Sequence, residues 1–170
     1  RRHGAGRLVQ ISSPAVIFTG RDHVGTTEAA PYPRRFSSHY AASKAAAEAV
    51  VRAARDLPSV ILRPKAVFGP GDRSLLPRVI AAARAGRLPQ IGAGRNLVDL
   101  TYVENVAHAA ALALASQAAV GNTYHITNGE HVPLWPLIRA VLSSLGIPAR
   151  LRPAPLPAML LAAALMEAGA

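Results

Sequence analysis

The sequence predicts an α/β fold with a parallel sheet, and two observations support this prediction. Short apolar segments that end in small or turn-forming residues alternate with alanine-rich segments of helical character. The chain has 170 residues, of which 51% are hydrophobic, so it is large enough to bury a core. The absence of cysteine excludes disulfides and thiolate zinc sites and fits a cytoplasmic protein.

The first half of the chain contains two predicted strands with a long loop and a helix between them. Residues 7–13, RLVQISS, read as an apolar strand, and the loop that follows is long enough to suggest a function. The Ser37/Ser38 pair can cap a helix that the alanines carry to about Arg55. Ser59–Pro64 reads as a buried strand, and AVFGPGD forms a tight turn at its end.

The second half is more irregular, with shorter elements between glycines and prolines. We expect two short extended pieces around a glycine turn in residues 88–103, and a strand in residues 122–128. The predicted helices cover residues 74–86, 104–117 and 133–146, and a final apolar helix covers Leu156–Met166. That last apolar run is too short to span a bilayer, which takes about 20 residues.

The formal charge of +10 raises the question of a nucleic-acid partner. The basic residues are scattered, almost all are arginine, and lysine occurs only at positions 44 and 65. No basic run is interleaved with aromatic residues, so we expect no nucleic-acid binding. The six histidines lie apart in the sequence, and we expect no metal site.

A tyrosine and a lysine stand four residues apart at the start of the first predicted helix. Residues at this spacing share a helix face, so Tyr40 and Lys44 project side by side. A positive charge near a phenol favours the phenolate and lowers its pKa. Such a tyrosine can exchange a proton with an alcohol or carbonyl oxygen.

The flanking strands bring a hydroxyl group towards this pair. One strand ends in Ser12 and Ser13, and the other ends in Arg63 and Pro64. Adjacent parallel strands bring their carboxyl ends together, and the intervening helix begins at that edge. A serine hydroxyl, the tyrosine hydroxyl and the lysine ammonium can therefore meet there.

Five segments carry a family resemblance. ISSPAVIF, YAASK, VILRPKAVFGPGD, RNLVDLTYVENVAHA and GNTYHITNGE occur in this order, and together they resemble the extended short-chain dehydrogenase/reductase family. The long loop and the RNLVDLTYVEN segment are most similar to its 3β-hydroxysteroid dehydrogenase branch, which includes bacterial reductases of long-chain 2-alkyl-3-oxo acids.

The resemblance implies a role for each of these residues. Tyr40 would donate or accept the proton, Lys44 would lower the tyrosine pKa and bind the nicotinamide ribose, and Ser13 would hold the reacting oxygen. Ser12 is the alternative to Ser13, because one register step exchanges them. The implied cofactor is NAD or NADP, and its contacts would come from Ser12, Tyr40, Lys44, Pro64, Lys65, Ala66 and Val67.

On the substrate side, the resemblance implies contacts from Arg95 and Tyr102, although Arg95 can equally be a surface residue. Asp99 is expected to cap a helix and Glu104 to supply a first-turn charge. Apolar residues favour a steroid-like or long-chain substrate with a 3-hydroxy or 3-oxo group, unless they simply form core; these are Leu97, Val98, Leu100, the Trp135 region and Leu156–Met166. The alternatives are a nucleotide-sugar epimerase or dehydratase and a catalytically inactive binding module.

The glycine-rich strand–turn–helix that binds the pyrophosphate in this family is missing from the sequence. HGAGRL, GAGRNL and GPGD lack its spacing and context. The simplest interpretation is the C-terminal part of a Rossmann-like doubly wound sheet, with residues 1–70 in the dinucleotide-binding domain and residues 71–170 mostly in a small α/β substrate lobe. The first strand would then be an exposed edge, and the isolated chain would be poorly soluble or depend on a partner. The resemblance also allows a homodimer through the Tyr40–Arg55 helix.

Overall fold

The computed structural model describes residues 4–22 and 24–159. The described helices are α1 (His39–Ala53), α2 (Leu76–Arg84), α3 (Val103–Ala115) and α4 (Leu134–Ser144). The strands are β1 (Leu8–Ile11), β2 (Ser59–Pro64), β3 (Val67–Phe68), β4 (Pro89–Ile91), β5 (Leu97–Asp99), β6 (Thr101–Tyr102), β7 (Thr123–Ile126), β8 (His131–Pro133) and β9 (Arg152–Ala154). Two short 3₁₀ turns cover Pro14–Ile17 and Gln117–Ala119.

The chain divides into two compact units. The first contains the described residues up to Gly69 together with Leu100–Gly129, and the second contains Pro70–Asp99 and the described residues from Glu130 onward. The predicted range 71–170, mostly substrate lobe with interleaved sheet elements, contains residues 100–129, which belong to the first unit. This segment supplies β6, α3 and β7 to that unit.

The first unit is built on a parallel sheet in the order β1-β2-β7, which confirms the predicted α/β fold. Val60 and Leu62 of the central strand pack with Ala113 of α3 in one core cluster. Arg63, whose side chain alternates to the other face, bonds Glu48 of α1. Because helices cover both faces, β2 is a continuous buried run rather than an alternating one.

Arg7 secures the start of β1 against the end of α3. Its guanidinium donates to the carbonyl oxygens of Ala113, Leu114 and Ser116 at 2.7–3.0 Å and to the side chain of Gln117. The last carbonyls of a helix have no partners within the helix and carry partial negative charge. At least one arginine of this basic chain therefore serves the fold.

Strand β1 lies at the edge of the sheet, since β2 is the strand with which it pairs among the described residues. Ile11 at its end is 41% exposed. The predicted exposed edge strand is thus present in the described part of the chain.

The second unit has its own core, in which Ala83, Leu88, Leu142 and Ile147 pack together. Its strands form two pairs, β4 with β9 in parallel and β5 with β8 antiparallel. Gly86 and Gly146 follow α2 and α4 with φ of 63° and 66°, as expected of glycines that end helices.

The predicted final helix lies mostly outside the described residues. Residues 156–159 are helical. Within the described ranges, the structure contains no helix that is both long enough and apolar enough to cross a membrane.

Candidate active site

Helix α1 carries the two residues that the sequence singles out, and its start is fixed by a serine cap. The Ser38 hydroxyl accepts a hydrogen bond from the amide of Ala41 at 3.2 Å. Tyr40 follows in the first turn and is 54% exposed, whereas Ala41 and Ala45 are buried against the protein. The helix therefore presents the tyrosine ring at the surface while its small residues allow close packing.

Polar residues recur at four-residue spacing along α1 and pass from the surface into the core. Tyr40 is exposed, Lys44 is partly buried and Glu48 is fully buried. A four-residue step advances the helix by about 40° beyond a full turn, so the row winds around the helix. One end of the row meets solvent and the other meets the buried sheet.

Lys44 connects α1 to the carboxyl end of β1. Its ammonium donates to the carbonyl oxygen of Ile11 at 3.1 Å and lies 5.9 Å from the centroid of the Tyr40 ring. An ammonium has three N–H donors, so further donors remain for a ligand. Among the described residues, no carboxylate forms an ion pair with Lys44.

The two serines that follow β1 have different surroundings. Ser12 is 4% exposed, and its hydroxyl donates to Glu48 at 2.5 Å. Ser13 has extended backbone and its hydroxyl accepts from the amide of Ala15 at 3.2 Å, which caps the 3₁₀ turn. An accepting hydroxyl keeps its own proton for donation. This arrangement favours Ser13 over Ser12 as the hydroxyl that meets a ligand.

Glu48 and Arg63 form a buried ion pair beneath these residues. Arg63 donates to both carboxylate oxygens, from Nε at 2.9 Å and from Nη2 at 2.7 Å. Tyr32 also donates to Glu48, at 2.6 Å, and Arg52 at 3.2 Å. Burial alone would raise the pKa of Glu48, but the hydrogen bonds from Arg63, Ser12 and Tyr32 lower it to about 2.

The long loop after β1 is held against the first unit at two points. Tyr32 reaches Glu48, and burial together with this carboxylate raises the pKa of Tyr32. Glu28 accepts from the amide of His125 at 2.7 Å, a bond that lowers the pKa of Glu28. The loop therefore lies beside the middle of α1 and the end of β7.

Pro64, Lys65, Ala66 and Val67 lie where β2 ends, at the same edge of the sheet as Ser12 and Ser13. The Lys65 amide donates to Ile126 at 3.0 Å, and its carbonyl accepts from the Thr101 hydroxyl at 2.5 Å. Ala66 has φ of 21°, the one positive value among the described non-glycine residues. Unusual backbone of this kind gathers at functional sites.

The remaining predicted residues lie elsewhere. Tyr102 is on β6, where its ring packs against Phe68 with centroids 5.6 Å apart. Arg95 is an exposed residue of the second unit, between β4 and β5. In the described part of the chain, Tyr102 forms no hydrogen bond or ring contact with Tyr40, Lys44 or Ser13.

One expectation about a second-unit residue needs correction. Asp99 lies on β5, where its carboxylate bonds His131 across the β5–β8 pair, and the residue at the N-cap of α3 is Tyr102, without a side-chain cap. Trp135 is only 7% exposed and donates to Asn96 at 3.1 Å, so it belongs to the core of the second unit, which is one of the two alternatives that the sequence left open. Glu104 lies in the first turn of α3, as predicted.

The sequence interpretation overlooked Glu48, Tyr32 and the pairing role of Arg63. A signal was available, because Arg63 is a charged residue in an otherwise apolar strand and a buried charge requires a partner. Glu48 stands one turn beyond Lys44 on the helix that packs beside that strand. The pairing follows from these two facts together, whereas Tyr32 lies in an irregular loop that offers no comparable pattern.

The residues at this edge fit the ribose and nicotinamide end of a dinucleotide. Lys44 retains N–H donors, and the Tyr40 ring is accessible beside it. Among the described glycine clusters, Gly4 and Gly6 lie before β1, Gly69–Gly71 lie before α2 and Gly92–Gly94 lie between β4 and β5. A pyrophosphate cradle is therefore not supplied by these residues. Nor do the described His, Asp and Glu residues gather in a group of three suited to a metal ion.

Comparison with known proteins points to one family. The sequence profile of the 3-beta hydroxysteroid dehydrogenase/isomerase family matches residues 1–157. The 2-alkyl-3-oxoalkanoate reductase of Stenotrophomonas maltophilia is 43% identical over 157 residues, an alignment covering 87% of this chain and 47% of the reductase. An Arabidopsis thaliana 3beta-hydroxysteroid-dehydrogenase/decarboxylase, isoform 2, is 43% identical over 84% of this chain and 28% of that protein.

Solved structures share the fold. A double mutant of DesIV, the dTDP-glucose 4,6-dehydratase of Streptomyces venezuelae crystallised with NAD and DAU, superposes with a TM-score of 0.73 at 30% identity. That match covers 89% of this chain and 48% of the dehydratase. The chain thus spans about half the length of the Stenotrophomonas maltophilia reductase and of this dehydratase. It spans 28% of the Arabidopsis thaliana protein.

Proposed function

Because the chain belongs to the 3-beta hydroxysteroid dehydrogenase/isomerase family, we propose that it carries the proton-transfer residues of an NAD(P)-dependent oxidoreductase. The reaction interconverts a secondary alcohol and a ketone. One observation supports this most directly: α1 presents Tyr40 and Lys44 at the carboxyl edge of a parallel sheet, with Lys44 bonded to the last residue of β1. Ligands bind at this edge in open α/β sheets.

The chain's residues act on the substrate oxygen. In reduction, the Tyr40 hydroxyl gives its proton to the carbonyl oxygen, and in oxidation the tyrosine oxygen accepts the alcohol proton. The Ser13 hydroxyl donates a hydrogen bond to the same oxygen and orients it. When bound, a nicotinamide cofactor supplies or accepts the hydride at the substrate carbon. Lys44 holds the ribose and keeps a positive charge beside the phenol.

The proposed substrate is a long-chain or steroid-like molecule with a 3-hydroxy or 3-oxo group. Support comes from the 43% identity to a 2-alkyl-3-oxoalkanoate reductase and from exposed leucines of the second unit, Leu97 at 65% and Leu156 at 50%. We assign the second unit to substrate binding on this basis. Trp135 is excluded from the substrate surface because it is core.

The direct test is a comparison of substrates with the complete protein. NADH or NADPH oxidation is followed with a long-chain 2-alkyl-3-oxo acid, with a 3-oxo steroid, and without substrate. We expect one of the two apolar ketones to give turnover. If neither ketone is turned over with either cofactor, the proposal is contradicted. The same assay determines the cofactor preference.

A nucleotide-sugar epimerase or dehydratase is the second candidate, favoured by the structural similarity to a dTDP-glucose 4,6-dehydratase. Such an enzyme needs groups for a diphosphate, and Arg95 is the exposed residue proposed for that purpose. For this candidate, Arg95→Ala weakens binding of dTDP-glucose at least tenfold. For the ketone reductase, the same substitution leaves ketone turnover nearly unchanged.

A third candidate is a binding module without activity, because the described residues supply no pyrophosphate cradle. Titration of the 170-residue chain with NADH and NADPH separates this from an active unit. Cofactor fluorescence that stays constant at millimolar concentration would mean that the chain alone binds no dinucleotide. The activity of the complete protein is tested separately, as above.

A further inference from the structure

We propose that Glu48 is a positioning residue for Ser13, which it places through Ser12. The inference rests on the proposed function, since that function gives Ser13 its role at the substrate oxygen. The structural part of the proposal, the orientation of the two serine hydroxyls, can be tested without an activity assay. The carboxylate of Glu48 fixes which of two adjacent hydroxyls faces the core and which remains for a ligand.

Glu48 is the meeting point of four segments of the first unit. Its fully buried carboxylate accepts from the end of β1, from the loop that follows, from α1 itself and from β2; the donors are Ser12, Tyr32, Arg52 and Arg63. A carboxylate has about four lone-pair sites, and five hydrogen bonds reach it, two of them from Arg63. The group is therefore saturated and held from several directions.

Because side chains alternate along extended backbone, the orientation of Ser12 fixes the orientation of Ser13. The Ser12 amide continues the β1–β2 ladder by donating to Leu62 at 2.7 Å, and Ser13 is extended with φ of −156° and ψ of 146°. Successive side chains of extended backbone point to opposite faces. With Ser12 bonded to Glu48, Ser13 is kept on the opposite side, where its oxygen caps the 3₁₀ turn at Ala15.

Glu48 forms its buried ion pair with Arg63 and not with Lys44. Lys44 stands one helical turn from Glu48, a spacing at which oppositely charged side chains often pair. Arg63 instead occupies both carboxylate oxygens, and the Lys44 ammonium reaches the Ile11 carbonyl. The buried pair thus leaves the lysine charge available at the sheet edge.

The test compares Ser12→Ala with Arg52→Ala in the complete protein. Each substitution removes one donor to Glu48, but only the first breaks the link to β1. Hydrogen exchange at the Ala15 amide reports the Ser13 cap. We expect Ser12→Ala to accelerate this exchange about tenfold and Arg52→Ala to leave it unchanged. Ser12→Thr, which retains the hydroxyl, should restore protection.

The kinetic arm separates positioning from general stability. Ser12→Ala should lower kcat about tenfold with little change in substrate KM, and it should add nothing in a Ser13→Ala background. Equal losses in both backgrounds, or an Ala15 exchange rate that does not respond to Ser12→Ala, would overturn the proposal. If the parent protein has no ketone reductase activity, the proposed function fails, and the exchange measurement still decides the role of Glu48.

Discussion

The buried carboxylate of Glu48 links folding to pH at the scale of a single residue. Its pKa falls from an ordinary value of 4.5 to about 2 because hydrogen-bonded partners outweigh the effect of burial. A depressed pKa contributes stability that is complete above pH 4.5 and is lost as the pH falls towards 2. The loss should be on the order of 3 kcal/mol in the free energy of unfolding, measured by urea titration across this range.

Glu48→Gln provides the comparison for this prediction. The variant should be less stable at pH 7, because Arg63 loses its buried partner, but its stability should change less between pH 4.5 and 2. Some dependence remains, since backbone hydrogen bonds hold the pKa of Asp72 at about 2 as well. Exposed Glu104→Gln is the control and should follow the parent curve. If the free energies of unfolding of Glu48→Gln and the parent fall in parallel between pH 4.5 and 2, a group other than Glu48 causes the loss of stability.

Individual residues of the candidate site differ in how far the sequence predicts them. That Tyr40 and Lys44 share a helix face follows from their spacing, because helix geometry fixes the relation of residues four apart, whereas their predicted role rests on the family resemblance of five segments. The choice between Ser12 and Ser13 does not follow, because it depends on Glu48, which is 36 residues from Ser12 in the sequence. Pairings across such distances have no local pattern.

At the scale of elements, the backbone that follows β3 approaches the start of α3 so closely that position 69 requires a glycine. Gly69 has φ of 139°, and a Cβ there would lie 2.7 Å from Val103 and 3.0 Å from the Tyr102 ring. Gly69→Ala combines unfavourable backbone with overpacking, so we expect a loss of about 2–4 kcal/mol in unfolding free energy. Gly6→Ala, which meets no atom within 4 Å, is the control and should melt like the parent. Equal melting temperatures for the two variants would contradict this.

Element length explains which parts of the fold the sequence predicts. Strand β2 was predicted with its observed bounds, because six residues between turn signals form a clear apolar run. The sequence does not predict strands β8 and β9, and it indicates a turn at β3, since segments of two or three residues have no measurable period. Their pairing depends on partners distant in the sequence.

At the scale of the whole molecule, we predict that α1 forms a homodimer interface. Val50 on this helix is 71% exposed among small residues, which favours helix-to-helix contact. We expect the complete protein to be a dimer that Val50→Asp weakens at least tenfold, because the interface would bury a charge. Light scattering after size-exclusion chromatography measures this. Val24→Asp, at a loop position that is 92% exposed, is the control, and a parent protein that is monomeric would rule out the dimer.

Proton transfer by Tyr40 at the carboxyl edge of the sheet is tested by measuring the turnover of Tyr40→Phe in the complete protein. The substitution removes one oxygen from a ring that is 54% exposed, so folding should be preserved. We predict a fall in kcat of about 10²–10⁴ with cofactor affinity nearly unchanged, whereas Tyr124→Phe on β7 keeps full turnover. A Tyr40→Phe variant with kcat within a factor of about two of the parent would show that Tyr40 does not transfer the proton.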